Sequence, residues 1–207
     1  IISEYCPLKC DSYAYEIYDE IKIYNGCLNS TSIYNDFINS STPTAPPILT
    51  NYWSFSGNYN DQIGGANLFN GVNYNLTNDR FGNSNSALDL NSGYMQVPNG
   101  TYFYGSLTVI AWVNLQGNAN YPRILEFSNG QSNDDIIFSF NGAYPTTLLF
   151  FGSTTFFPIK SNTSLPLNKW YHLAYTLDQN GYGTIYVNGL PVASGQQQIA
   201  NSVLRTS

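Results

Sequence analysis

The residues able to do acid–base or nucleophilic chemistry are few in this chain. Its 207 residues include 13 carboxylates, one histidine and three cysteines. Glycoside hydrolysis needs two carboxyl groups converging on one bond. Glu126, in the alternating run Arg123-Ile-Leu-Glu-Phe127, has no acid two positions away, where a strand would place it on the same face. Asp134 and Asp135 are adjacent, so in a strand they point to opposite faces. His172 lies inside Trp170-Tyr-His-Leu-Ala-Tyr-Thr-Leu177, with no nucleophile elbow in the sequence to serve it, and reads as a packed or hydrogen-bonded sandwich residue. The expectation is therefore a non-enzymatic protein. Cys6 and Cys10 flank a three-residue turn that a disulfide can close, leaving Cys27 free or bonded to another chain. No paired CxxC spacing points to zinc.

Modification chemistry is better represented. Asn29, Asn39, Asn75, Asn99 and Asn162 each open an Asn-x-Ser/Thr sequon, the acceptor of N-glycosylation. Charged residues make up only 10% of the chain and the formal net charge is −6, which excludes nucleic-acid binding through a basic surface. No apolar run reaches the ~18 residues of a membrane span. The 18 Tyr and 12 Phe argue against disorder. Polarity comes from Asn, Ser, Thr and Gly, a composition suited to strands and turns. Low charge and five sequons together place the chain outside the cell or on its surface. It opens Ile1-Ile2-Ser3-Glu4 without an initiator Met and reads as a mature piece or a segment of something longer.

Pro43-Thr-Ala-Pro-Pro-Ile48 is a Pro-rich stretch and reads as a linker over 43–50. It separates residues 1–42, too short to fold alone, from a body at 51–207. The body reads as β throughout. Leu107–Val113, Arg123–Phe127, Ile136–Phe140, Trp170–Leu177 and Thr184–Val192 are strand runs, and Asn188-Gly189 supplies the two positive φ angles of a tight hairpin. Ser30 to Ile38 is the one helical stretch, capped by Ser30 or Asn29, with Ile33 and Phe37 on one face. Strands at roughly ten-residue spacing predict an all-β, two-sheet antiparallel sandwich with one short helix.

Several motifs together resemble a known family. Trp170-Tyr-His-Leu-Ala-Tyr-Thr176 followed by Gly183-Thr-Ile-Tyr-Val-Asn-Gly189 is similar to the signature of laminin G-like jelly rolls in the concanavalin A-like superfamily. Tyr52-Trp-Ser-Phe-Ser-Gly57 with Asn60-Asp61 and Gly64-Gly65 resembles that family's first strand and loop. Ala87-Leu-Asp-Leu90 with Tyr94-Met-Gln-Val97 resembles its next hairpin, and Leu107–Val113 its central strand. The family's closing element, an Asp-Glu-Ile-x-Ile-Tyr-Asn strand and a short helix, stands at the front instead, as Asp19-Glu-Ile-Lys-Ile-Tyr-Asn25 and Ser30–Ile38.

This rotated order implies a circular permutation, a strand donated to a neighbouring copy, or one period of a tandem array. Residues 1–42 are expected to complete a neighbouring unit. The chain is then a structural building block of an extracellular filament or array, with copies of itself as partners. A carbohydrate-binding module that takes glycans is the alternative, its candidate loops being Asn118–Tyr121, Asn129–Asp135 and Gly142–Pro145. Residues 14–24 should form a strand beside 51–56. Strict alternation puts Tyr15, Ile17, Asp19, Ile21 and Ile23 on the core face, unless a bulge intervenes. The resemblance also implies a structural Ca2+ where first loop and last strand meet, with Asp61 and Asp19 as ligands and Asn60 and Gly64 adding oxygens. The apolar runs Leu148–Phe151 and Phe156-Phe157 mark an interface if exposed.

Overall fold

A computed structural model describes residues 14–39, 47–103, 105–117, 122–129, 134–151 and 155–198. Two antiparallel sheets face each other across one core. The larger contains β1 (Ala14–Asn25), β2 (Ile48–Trp53), β3 (Phe69–Thr77), β4 (Ala87–Gln96), β5 (Leu107–Leu115), β10 (Trp170–Leu177), β11 (Tyr182–Val187) and β12 (Leu190–Gln196). Its order is β12-β11-β10-β5-β1-β4-β3, with β2 paired to the second half of β1. The smaller runs β6 (Arg123–Phe127), β7 (Ile136–Asn141), β8 (Tyr144–Phe151) and β9 (Thr155–Lys160) in sequence order. Helix α1 (Ser30–Asn39) caps on Asn29, whose Oδ1 accepts the Ser32 N–H at 2.9 Å.

The strand expected at residues 14–24 forms and lies at the centre of its own chain's sheet. One edge pairs with β5 throughout; the other pairs with β4 through Tyr18 and with β2 from Ile21, where Ile21 faces Trp53 and Lys22 faces Tyr52. β2 starts at Ile48, inside the expected linker, because Ile48 and Leu49 still find ladder partners in Asn25 and Tyr24. A bulge at Glu20, with φ of 55°, shifts the register between Asp19 and Lys22. That bulge corrects the alternation. Tyr18 pairs with Val113 and lies inside with Ile21 and Ile23, all fully buried in the core. Ile17 and Asp19 oppose Asn114 and Trp112 and share the outer face with Lys22 and Tyr24.

β5 shows why its residues read as a continuous apolar run. Leu107, Val109, Ala111, Val113 and Leu115 enter the core, whereas Ile110 joins Tyr24, Leu28, Ile33, Ala174 and Tyr186 in a second cluster on the outer face. α1 covers that face, so the centre of the sheet is buried on both sides. The Asn188-Gly189 turn forms as expected, with φ of 49° and 77°. A Cβ on Gly189 would lie 2.8 Å from Tyr34 of α1, so this position needs glycine for its φ and for the helix's close approach.

Candidate functional site

A cleft of about 580 Å3 opens beside the end of β1. Four separate segments line it: Asn25 ends β1, Thr50 and Asn51 lie on β2, Gly64 to Ala66 form a loop, and residues 98–103 follow β4. Its polar groups are the carboxamides of Asn25, Asn51 and Asn99 and the hydroxyls of Thr50, Thr101 and Tyr102. No Asp, Glu, Lys or Arg stands among the described lining residues.

Asp61 builds one wall of this cleft from behind. Its Oδ1 accepts the N–H groups of Tyr52 at 2.8 Å and Ile63 at 3.1 Å, and its Oδ2 accepts the Asn51 carboxamide at 2.7 Å and the Ala66 N–H at 3.0 Å. Burial works to raise its pKa, but these four donors outweigh it and hold the carboxyl below the ordinary range. The Trp53 indole N–H closes the loop on the Ala66 carbonyl at 2.9 Å. Gly64 fits because a Cβ there would lie 2.5 Å from both the Asn51 carboxamide and the Thr50 carbonyl. On the opposite wall, Tyr102 stacks on Phe127 with centroids 4.5 Å apart and donates its hydroxyl to the Pro98 carbonyl. Burial pushes that phenol up to about 12, with the Asp61 charge adding to the effect, so it stays a donor at every physiological pH.

Both carboxylates expected to hold calcium, Asp61 and Asp19, are engaged with N–H donors. Both oxygens of Asp61 are saturated by N–H donors. Asp19, 4% exposed, is bonded to the Arg80 guanidinium, which also reaches Glu20 at 3.3 Å and stacks on Trp112. A cation in place of either partnership would have to displace donors already in register. Asn60 is exposed, and its amide N–H bonds the Asn58 side chain. The described residues contain no metal-like cluster of His, Cys, Asp or Glu.

Two of the other candidate acids, Glu126 and Asp135, are also engaged in structure. Glu126 contacts Arg123 at 3.0 Å, and Asp135 is buried at the start of β7. His172 is a packed residue, as expected: it is fully buried, with Nε2 3.0 Å from Asp36 Oδ2 and its ring edge-on to Trp112. All five sequon asparagines are exposed. Cys6, Cys10 and the loop at 118–121 lie outside the described residues, as do 130–133 of the second loop. Cys27 is exposed and free among the described residues. The Gly142–Pro145 loop is the β7–β8 turn, where the Lys160 ammonium sits over the Tyr144 ring. Residues 148–151 and 155–157 are a paired stretch of β8 and β9.

Glu16 is a consequence of the bulge, which carries a carboxyl into the core. It accepts the Tyr18 hydroxyl, and burial raises its pKa from 4.5 to about 8 despite that bond. Between those values the unfolded chain releases a proton that the folded chain keeps. Stability from this group is therefore complete below pH 4.5 and is lost as pH rises towards 8. Glu16→Gln is expected to melt above the parent at pH 7.5 and to match it at pH 4. Equal melting temperatures at both pH values, in paired thermal scans, would show that the carboxyl is already ionised.

A family model for the concanavalin A-like lectin/glucanases superfamily, of the laminin G type, matches residues 89–206. A search of curated protein sequences finds no match. Among solved structures, a proposed carbohydrate-binding protein from Bacteroides ovatus aligns with 96% of this chain at 11% identity and a TM-score of 0.36. The chain spans 64% of the length of that protein.

Proposed function

We propose, from the premise that this chain belongs to the concanavalin A-like lectin/glucanases superfamily, that it is a non-enzymatic glycan-binding module of an extracellular or cell-surface protein. The observation that carries the reading is the uncharged lining of the cleft. Carboxamides donate and accept, hydroxyls do both, and a sugar presents the same mixture. Gly65 leaves open space at the rim, since a Cβ there would meet nothing within 4 Å. The volume falls in the range of small-molecule sites, roughly 300–1,000 Å3. Among the described residues no acid–base pair faces the space, which supports binding of a sugar over its cleavage. Five exposed sequons support an extracellular setting.

Titration calorimetry on chain made without glycosylation tests this with chitobiose, maltotriose and mannotriose. At least one is expected to bind, and Asn25→Ala with Thr101→Ala is expected to weaken it tenfold or more. Both residues are exposed, so the melting temperature should not move. Failure of all three sugars at millimolar concentration, or full affinity in the double variant, overturns the assignment.

A second reading keeps the chain as a building block joined by its first strand. It is favoured by the position of β1, which enters the middle of a sheet but reaches the body through residues 40–46. The same groove accepts the same strand from a second copy, as in domain swapping and strand complementation. Light scattering across concentration decides it: growing oligomers are required, and a monomer throughout removes this reading.

A further inference from the structure

Of the five sequons, Asn99-Gly100-Thr101 is the one whose residues line the cleft. The others stand elsewhere. Asn29 caps α1, Asn39 ends it, Asn75 lies on the edge strand β3, and Asn162 follows β9. We propose that an N-glycan on Asn99 closes the cleft, so that the chain binds external sugar only where Asn99 is bare. This rests on the glycan-binding reading and adds a regulatory modification to it.

The geometry makes attachment and occupancy exclusive. Asn99 and Thr101 are both exposed, so the acceptor amide and the hydroxyl that completes the sequon are accessible. The segment is held at both ends. Tyr102 donates to the Pro98 carbonyl and stacks on Phe127, and Phe103 packs edge-on to the same ring with centroids 5.1 Å apart. Gly100 completes the clamp: a Cβ there would lie 3.2 Å from the Tyr102 ring, so the glycine lets the ring fold back over the segment. A glycan on Asn99 therefore starts from a fixed point in the wall and cannot be carried away by a flexing loop.

The transfer itself is balanced by a lipid-linked oligosaccharide donor. Asn99 Nδ2 bonds to the anomeric carbon, the lipid pyrophosphate leaves, and one Nδ2 proton is lost to solvent. Asn99 then has one amide hydrogen fewer to offer a ligand. Its first two sugars compete for the same carboxamide and hydroxyl groups at an effective concentration on the order of millimolar.

The test compares four preparations by titration with chitobiose, maltotriose and mannotriose. They are parent chain and Asn99→Gln, each from a eukaryotic secretory host and each made without glycosylation. Site occupancy is read by peptide mass. Asn99 is expected to be occupied in the secreted parent, and the bare parent to bind at least tenfold tighter than it. Asn99→Gln alters a lining carboxamide, so its two forms are read only against each other, and they should bind equally. Equal affinity in the occupied and bare forms overturns the proposal, as does an Asn99 left bare while the other sequons are occupied. Absence of binding by the unglycosylated parent is a different failure: it removes the glycan-binding reading, and this inference with it.

Discussion

A chain lacking residues 1–42 is expected not to fold, and a peptide of those residues added back is expected to restore it. The deletion removes β1 from between β5 on one side and β4 and β2 on the other. Tyr18, Ile21, Ile23 and Tyr24 are each 0% exposed. At about 1.5–3 kcal/mol for each buried apolar side chain, their loss alone amounts to ~6–12 kcal/mol. That matches the whole stability of an ordinary domain, about 5–15 kcal/mol. The three flanking strands would also keep rows of unpaired N–H and C=O groups beside an open core. Circular dichroism and amide dispersion in NMR read the outcome. A truncated chain that stays folded without peptide would show that β1 is an accessory strand. Ile21→Asp in the full chain sharpens the test, because it leaves the ladder donors intact and buries one unpaired charge. If it too folds with an unchanged melting temperature, the core does not depend on this strand.

The strand was readable in the sequence while its two faces were not. Asp19-Glu-Ile-Lys-Ile-Tyr-Asn25 resembles the family's closing strand, and its isoleucines mark a core face. The bulge at Glu20 arises where β1 exchanges β4 for β2 as its neighbour, a property of three strands and of no local residue pattern. A glutamate at φ of 55° gives no signal that a glycine or asparagine would have given. Hence strict alternation points Ile17 and Asp19 to the core, where the bulge places Glu16 and Tyr18 instead. β6, β10 and the Asn188-Gly189 hairpin were legible because alternation and turn chemistry are local. The cleft was not, since its lining comes from residues near 25, 50, 65 and 100, which share no period. Asn99 entered as one sequon among five, and only the placement of 98–103 against β2 distinguishes it. Asp61 stands where the resemblance implies a calcium ligand, and its oxygens accept the N–H groups of Tyr52, Ile63 and Ala66 and the Asn51 carboxamide.

Asp36→Ala is expected to cost about 3–5 kcal/mol, the range for breaking a buried ion pair from one side. Asp36 sits on the inward face of α1 at 1% exposure, 2.7 Å from the Lys22 ammonium and 3.0 Å from His172 Nε2. Burial pushes its pKa up, yet the His172 hydrogen bond and the Lys22 charge prevail and hold it below the ordinary carboxylate value. A depressed folded pKa means that this stabilisation is complete above the unfolded carboxylate's value and fades as pH falls through the folded one. The variant should therefore lose most at neutral pH and converge on the parent in acid, the opposite trend to Glu16→Gln. For a chain of this length the loss corresponds to a fall in melting temperature of about 6–20 °C. Lys22 is 1% exposed and His172 is 0% exposed, so neither can turn to water once the carboxylate is gone. The double change Lys22→Met with Asp36→Leu separates charge from packing. It removes both ions together and should recover much of the loss, because no buried ammonium is left without its nearest carboxylate. Hydrogen exchange locates the effect: in Asp36→Ala the amides of α1 should lose protection before those of β10. A melting temperature within 2 °C of the parent at pH 7, or equal loss in the single and double variants, would show that the helix is held by Ile33 and Leu28 alone and that the ions contribute nothing to its docking.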